Sequence, residues 1–165
     1  MKYIKLYEKF ENWNTVSDEA YSDVRELNRI GVVSDQELRE LRKLMEAERQ
    51  ILQYTGVGGL DLGSCTLLKS LPAGLKVNGN LNLNWCQSLE SLPDGLTVSG
   101  GLSLYGCISL TSLPANLKIG GSLYLSGTGL ESLPAGLEVG GDLDLRGCPA
   151  LKSLPVDLKV GGIIL

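Results

Sequence analysis

A Leu-Pro dipeptide recurs at nearly constant intervals through the last two-thirds of the chain, and this repeat constrains the fold more than any other feature. The intervals are 21, 21, 20 and 21 residues, and the pairs are Leu71-Pro72, Leu92-Pro93, Leu113-Pro114, Leu133-Pro134 and Leu154-Pro155. Around each pair the frame L-x-S-L-P-x-x-L-x-V-x-G-x-L-x-L-x-x-C returns. A repeat of this length is typical of proteins that stack similar units side by side, so the pattern predicts a solenoid.

Composition divides the 165 residues into two parts. Twenty of the 21 glycines and all six prolines lie from Gly56 onward, whereas the first 55 residues hold 20 of the 34 charged side chains. We therefore predict an α-helical region over 1–56 and a solenoid over 57–165, with five copies of the repeat and an end inside a further strand.

The first part carries helix signals. Ser34 and Glu37 match a capping box, and the helix that follows is predicted to end at Gly56. Its apolar residues recur at helical spacing and predict one buried stripe: Leu38, Leu41, Met45, Ile51 and Leu52. Ser17 and the two acids after it predict a further helix over 17–30 that ends at Gly31, and weaker signals predict a shorter helix over 3–13. Together these helices would cap the first coil of the solenoid.

The alternation in L-x-L places both leucines on one side of a strand and the residue between them on the other side. One coil of about 20 residues buries too few side chains to offset its own ordering entropy, so only stacked coils are stable. The V-x-G segment that precedes each L-x-L is interpreted as a corner, at which a second extended segment, L-x-V, turns into the L-x-L strand.

The segment L-x-L-x-x-C/T-x-x-L-x-x-L-P resembles the leucine-rich repeat family, and the short period with Leu-Pro is similar to the bacterial subtype found in secreted effector proteins. The resemblance implies an α+β repeat fold: a solenoid of about five 20–21-residue coils with a parallel β-sheet. One departure is that the family's first leucine is replaced by an apolar residue one place earlier. The resemblance also implies a ladder of inward-turned side chains that hydrogen-bond the backbone between coils: Cys65, Cys86, Cys107, Thr128 and Cys148.

The same four cysteines show no C-x-x-C spacing, so no metal site and no other cofactor is predicted. The chain contains no histidine, which removes the usual general base and the Ser-His and Cys-His pairs, and we expect no enzymatic activity. The net charge of −4 without a basic stripe argues against nucleic acid as a partner. No apolar run is long enough to span a bilayer, so no membrane partner is expected.

In leucine-rich repeats the sheet lines a concave face on which partners bind, and the resemblance assigns that role to the outward residues of L-x-L and those that follow. The candidate binding surface is Asn82, Asn84, Trp85, Ser103, Tyr105, Tyr124, Asp144 and Arg146. Tyrosine, tryptophan and arginine are the residue types that most often carry interface energy, although a merely solubilising surface would have a similar composition.

The leading hypothesis is therefore a non-enzymatic module that binds another protein through this face. Two alternatives stay open: a structural or assembly component of a phage or bacterial system, and the repeat fragment of a longer effector-type protein with an enzymatic domain. We expect the chain to self-associate through its last coil, which offers an apolar strand end at Ile163–Leu165. With no signal peptide, a cytoplasmic location is expected, and delivery into another cell by a non-classical route is a further alternative.

Overall fold

The helix that precedes the repeats begins as its capping box predicts. The computed structural model describes residues 33–165 except 116, together with positions 29 and 31. The helices predicted over 3–13 and 17–30 therefore lie outside the described residues, apart from Arg29. Helix α1 spans Asp35–Gln53. The Ser34 hydroxyl accepts a hydrogen bond from the Glu37 amide at 3.3 Å, and the Glu37 carboxylate accepts one from the Ser34 amide at 2.7 Å.

The buried face of α1 differs from the predicted stripe at several residues: Leu44 and Ala47 are buried although the stripe did not include them, Leu41 is only half-buried, and Leu52 is exposed. Leu52 is 55% exposed, so its place on the stripe was wrong. One residue advances the helix by about 100°, and because Ile51 packs against the solenoid core, Leu52 is turned away from it. The buried residues of α1 are Leu38, Leu44, Met45 and Ala47. The helix ends at Gln53, three residues before Gly56.

The repeats form a β-solenoid of five coils with a period of about 21 residues, which confirms the predicted architecture. Each coil contributes one short strand to each of two parallel sheets. Sheet A contains the L-x-L strands: β1 (Leu60–Asp61), β3 (Leu81–Asn82), β5 (Leu102–Ser103), β7 (Leu123–Tyr124) and β9 (Leu143–Asp144). Sheet B contains the L-x-V strands: β2 (Lys76–Val77), β4 (Thr97–Val98), β6 (Lys118–Ile119), β8 (Glu138–Val139) and β10 (Lys159–Val160). The second extended segment is thus confirmed, and it forms a sheet of its own.

Every strand pairs in register with the same strand of the next coil. Leucine lies opposite leucine along sheet A, beginning with Leu60 opposite Leu81 and Leu81 opposite Leu102. Valine or isoleucine forms the inward column of sheet B. The leucines of the middle coils are fully buried, Leu81, Leu102 and Leu123 among them. One continuous apolar core therefore runs through the stack, and the outward residues are left on two solvent-facing sheets.

Glycine is required at the V-x-G corner because the backbones of successive coils meet there. The Gly100 amide donates to the Gly79 carbonyl oxygen at 2.9 Å, and Gly121 donates to Gly100 in the same way. A Cβ atom on Gly121 would lie 2.8 Å from the carbonyl carbon of Gly100. None of these three glycines has a positive φ, so close approach and not a left-handed conformation decides the residue type.

Helix α1 covers the first coil. Leu44 and Ala47 belong to the same apolar cluster as Leu60 and Leu62. The Glu40 carboxylate accepts a hydrogen bond from the Thr66 hydroxyl, which joins the helix to the turn after β1. This contact places the carboxyl end of strand β1 next to the helix.

Coil pairing continues to the last residues of the chain. The Leu143 amide donates to the Ile163 carbonyl oxygen at 2.9 Å, and Leu143 forms a parallel bridge with Ile164. On this last coil the structure leaves several large apolar side chains exposed: Leu154, Val156, Ile163, Ile164 and Leu165. Among the described residues, no helix has both the length and the apolar character needed to cross a membrane.

Candidate functional site

The predicted ladder residues follow the strands of sheet A and turn into the core. The Cys86 thiol donates to the Leu62 carbonyl oxygen at 3.3 Å, which links the second coil to the first. Cys107 and Cys148 form the corresponding inter-coil bonds, to Leu83 at 3.0 Å and Leu125 at 3.1 Å.

Thr128 departs from this pattern. Its hydroxyl donates to the Leu125 carbonyl oxygen of its own coil at 2.8 Å and lies 3.4 Å from the Cys148 sulfur. The shorter C–O bond keeps the hydroxyl close to its own turn, whereas the longer thiols reach the previous coil. The ladder therefore serves packing between coils.

Burial makes three of the four thiols weak acids. Loss of hydration raises the pKa of Cys65 and of Cys107 to about 12 and that of Cys86 to about 11. The thiolate is the reactive form of cysteine, so a raised pKa and a buried sulfur both suppress its chemistry. All four cysteines are unpaired, and Cys148 is only half-buried. No group of three or more potential metal ligands occurs in the described part of the chain.

We predict that thiol reagents modify Cys148 before the other three cysteines, because only Cys148 retains solvent contact. Mass spectrometry of peptides after brief alkylation of the folded chain would measure this order. A urea-unfolded sample is the control, in which all four should react at similar rates. Rapid modification of Cys65, Cys86 and Cys107 in the folded chain would contradict the burial of the ladder.

The candidate binding residues all lie on the outward side of sheet A or directly after its strands. Asn82, Ser103, Tyr124 and Asp144 occupy one column, each in register with the residue of the neighbouring coil. Asn84, Tyr105 and Arg146 follow two residues later. The structure thus brings the eight predicted residues onto one face.

Most of the polar side chains on this face hydrogen-bond to the protein itself. The Asn82 side chain accepts from the Asn84 amide at 3.0 Å and donates to the Asp61 carboxylate at 2.8 Å. The Asn84 side-chain oxygen accepts from the Tyr105 amide and from the Ser103 hydroxyl. These hydrogen bonds stabilise the strand ends, and they occupy the side-chain oxygens of Asn82 and Asn84.

Asp144 and Arg146 form a compact ion pair at the last coil. The guanidinium donates to both carboxylate oxygens, at 2.9 and 2.6 Å, and holds the pKa of Asp144 well below its usual range. Asp144 is buried, whereas the Arg146 side chain is 68% exposed. A bidentate pair fixes the orientation of the arginine, whose remaining donors face solvent.

The aromatic residues are the exposed part of the face. We call Trp85, Tyr105 and Tyr124, on three adjacent coils, the aromatic ledge; they are 46%, 44% and 41% exposed. The rings of Trp85 and Tyr105 meet edge to face, with centroids 4.8 Å apart and planes at 82°. Large aromatic side chains that are nearly half exposed on a rigid sheet are typical of interaction sites.

Trp85 occupies a position at which the next three coils carry glycine. Its φ is +62°, a left-handed conformation that is unfavourable for a bulky residue. Its ring lies over Gly106, where an added Cβ atom would be 2.6 Å from the Trp85 Cε3 atom. Strain of this kind concentrates at functional sites. The sequence analysis missed Gly106. The signal was visible, since the repeat position that holds tryptophan in the second coil holds glycine in the next three coils.

A second missed residue is Glu48, on the side of α1 that faces the solenoid. One of its carboxylate oxygens is buried without a hydrogen-bond donor among the described residues. Burial raises the pKa of Glu48 to about 7. The signal in the sequence was the helical spacing of this charged residue, which follows Met45 by three positions and Leu44 by four and so lies on the same side of the helix as these apolar residues.

Comparisons with family models, curated proteins and solved structures gave no match to this chain.

Proposed function

We propose that the chain is a non-enzymatic protein-interaction module of the leucine-rich-repeat type, which binds its partner through the aromatic ledge on sheet A. The observation that carries the proposal is the difference between the polar and the aromatic side chains on that face. The polar side chains are bonded to the fold, whereas Trp85, Tyr105 and Tyr124 remain nearly half exposed on a rigid backbone. Preorganised aromatic side chains bind partners with little loss of conformational entropy.

The leucine-rich-repeat assignment is supported by the L-x-L strands, the Leu-Pro period and the cysteine ladder that bonds one coil to the previous one. The free thiols of that ladder support a location in a reducing compartment. An enzymatic role has no comparable support, because histidine is missing from the chain.

The proposal predicts that alanine at Tyr105 or Tyr124 weakens partner binding about ten-fold, or about 1–2 kcal/mol, with little change in stability. A peptide ligand for the measurement can be selected from a displayed random library against the immobilised chain. Titration calorimetry would compare the variants, and thermal melts would report stability.

Lysine residues outside sheet A supply the matched controls. Alanine at Lys69 or Lys152, on the loops before the Leu-Pro pairs, should leave binding unchanged. Equal losses at all four positions, or none at the two tyrosines, would show that this face is not the binding surface.

Self-association through the last coil stays a prediction. In the 165-residue chain the exposed side chains of Ile163, Ile164 and Leu165 lie beside an open strand edge, and such edges recruit further strands. Light scattering over a concentration series should show dimers, and glutamate at Ile163 and Leu165 should give monomers. Monomers at every concentration would refute the prediction, and open-ended ordered oligomers would favour the alternative of an assembly component.

A further inference from the structure

Strand β1 has a neighbouring strand on only one side, so the backbone of sheet A is open along its other edge. Sheet A begins with β1 and continues through β3. The Leu60 amide donates to the second coil, to the Asn80 carbonyl oxygen at 2.8 Å, and the Leu62 and Ser64 amides do the same at 2.9 and 2.7 Å. In a parallel ladder, alternate residues turn their backbone groups to opposite neighbours. The residues between these three therefore turn theirs away from the sheet.

The open edge of β1 offers the hydrogen-bonding pattern of an incomplete ladder. Its groups are the carbonyl oxygens of Gly59, Asp61 and Gly63 and the amide of Asp61, none of which has a hydrogen-bond partner among the described residues. In every later coil the three corresponding carbonyl oxygens accept amides from the coil before. An added strand would thus donate three alternate amides and accept one, and unpaired edges of this kind recruit strands.

The edge is set for a parallel strand. The Gly63 amide is turned aside and donates to the Asp61 carboxylate at 3.0 Å, so it cannot join a ladder. The same amide is turned aside inside the stack, where Asn84 donates to the Asn82 side chain at 3.0 Å, and the coils pair in parallel there nonetheless. A parallel strand therefore needs no backbone group that β1 lacks.

A groove along this edge has room for an extended segment. Its volume is about 300 Å³, and it lies between the strand, which lines it over 61–65, and one face of α1, which lines it over 42–50. Gly59 and Asp61 are exposed to solvent, so the helix does not close the edge.

The charges that line the groove cancel. Arg42 and Lys43 are matched by Glu46 and Asp61. A charged segment would lose hydration in the groove without a net attraction, so an uncharged segment is favoured.

Helix α1 limits the side chains that such a segment can turn inward. In the stack, each strand of sheet A places leucines in the core beside those of the next coil. Before the first coil that space is filled by Leu44 and Ala47 of α1, which pack in one cluster with Leu60 and Leu62. Since a packed core has no room for further large groups, the inward residues of an added strand must be small.

From the open backbone groups, the groove and its balanced charge, we propose that the outer edge of β1 binds an extended, uncharged segment of another protein. The segment adds to sheet A as a parallel strand, with small residues facing α1. This site is separate from the aromatic ledge, and the inference goes beyond the proposed function.

The test uses the full chain labelled with ¹⁵N and, as the probe, a capped peptide of about six residues in which threonine and alanine alternate. Titration should give saturable shifts of the Asp61 amide resonance, and hydrogen exchange of this amide should slow at least about five-fold at saturation, because it then donates to the peptide. Binding should change less than about two-fold between low and high salt. A peptide with leucine in place of alanine should bind at least about ten-fold more weakly, because its inward side chains are too large.

Methylation of the peptide backbone separates strand addition from other modes of binding. In the stack, the inward residues Leu60 and Leu62 are the ones whose amides donate to the next coil. The inward alanines of the peptide should likewise donate to β1, so N-methylation of all alanines should weaken binding at least about ten-fold. N-methylation of all threonines, whose amides point away from β1, should change binding less than about two-fold.

Variants of the chain locate the site. Asp61→Pro removes the open amide and should weaken binding at least about ten-fold; proline is tolerated on an edge strand where the amide faces solvent. Asp61→Ala is the matched control, since it loses the same carboxylate and keeps the amide, and it should bind within about three-fold of the unmodified chain. Glu46→Trp, which fills the groove from the helix, should also weaken binding, whereas Arg39→Trp, on α1 outside the groove, should not.

Several results would overturn the proposal: no saturable binding of the peptide, equal binding of the leucine peptide, loss of binding on methylation of the threonines but not of the alanines, or equal binding by Asp61→Pro and Asp61→Ala. Protection of the Asp61 amide that grows with protein concentration in the absence of peptide would also overturn it, because a second copy of the chain would then cover the edge.

Discussion

Replacement of Gly121 by alanine is expected to lower the free energy of unfolding by about 2–4 kcal/mol, a loss large enough to unfold a marginal solenoid. The added Cβ atom would lie 2.8 Å from backbone atoms of the previous coil, and backbone cannot rotate away as a side chain can. The Gly121 amide also donates to the Gly100 carbonyl oxygen at 2.9 Å, so displacement of one coil would break bonds on both sides. Chemical denaturation followed by circular dichroism would measure the change.

Ser99→Ala is the matched control for Gly121→Ala. Ser99 lies at the same corner one coil earlier and already carries a Cβ atom, so the shorter side chain should cost less than about 0.5 kcal/mol. If Gly121→Ala is as stable as the control, the glycines of the corner are not required by close approach of the coils.

Replacement of Glu48 by glutamine is expected to stabilise the chain by about 1–2 kcal/mol near pH 8 and to have no effect below about pH 4. Burial raises the pKa of Glu48 from 4.5 to about 7, so the folded chain binds this proton more tightly than the unfolded chain does. The stabilisation that Glu48 contributes is fully present below pH 4.5 and is lost as the pH rises through about 7. Glutamine stays neutral and avoids the loss. Partial exposure of Glu48 reduces the effect below the full value of the shift.

Denaturation curves of both proteins at several pH values would measure the effect of Glu48→Gln. Glu46→Gln, on the exposed side of the same helix, is the control for the loss of one carboxylate from α1. A constant difference between Glu48→Gln and the unmodified chain at every pH would mean that titration of Glu48 does not limit the packing of α1 on the first coil.

Local signals predicted much of the fold because each depends on few residues. The capping box at Ser34 and Glu37 is a contact within one turn, and it forms as predicted. The Leu-Pro period predicted five coils, since a repeat places equivalent residues at equivalent positions. Leu52 was misplaced because hydrophobicity alone does not define the direction from which a helix is covered.

The candidate site was predictable only in part. The alternation of L-x-L placed Ser103 and Tyr124 outward, but it could not show which polar side chains bond to the fold. Those bonds join residues about 20 positions apart, such as Asn84 and Tyr105, and depend on the distance between coils. The left-handed backbone at Trp85 was signalled by the glycines at the same position of the next three coils, but the ring contact between Trp85 and Tyr105 was not, since it too joins one coil to the next.

The sequence by itself determined that this chain is a stacked repeat, how many coils it has, and which residues of the repeat face inward. The short repeat period and the alternation of inward and outward residues in L-x-L leave only one arrangement that buries the leucines. The tertiary structure alone decided three other features: the pairing of the L-x-V segments into a sheet of their own, the close contact of the corner glycines, and the edge-to-face contact between Trp85 and Tyr105. Each of these depends on how near one coil lies to the next. That distance is set by the packing of whole coils, and no single stretch of sequence encodes it.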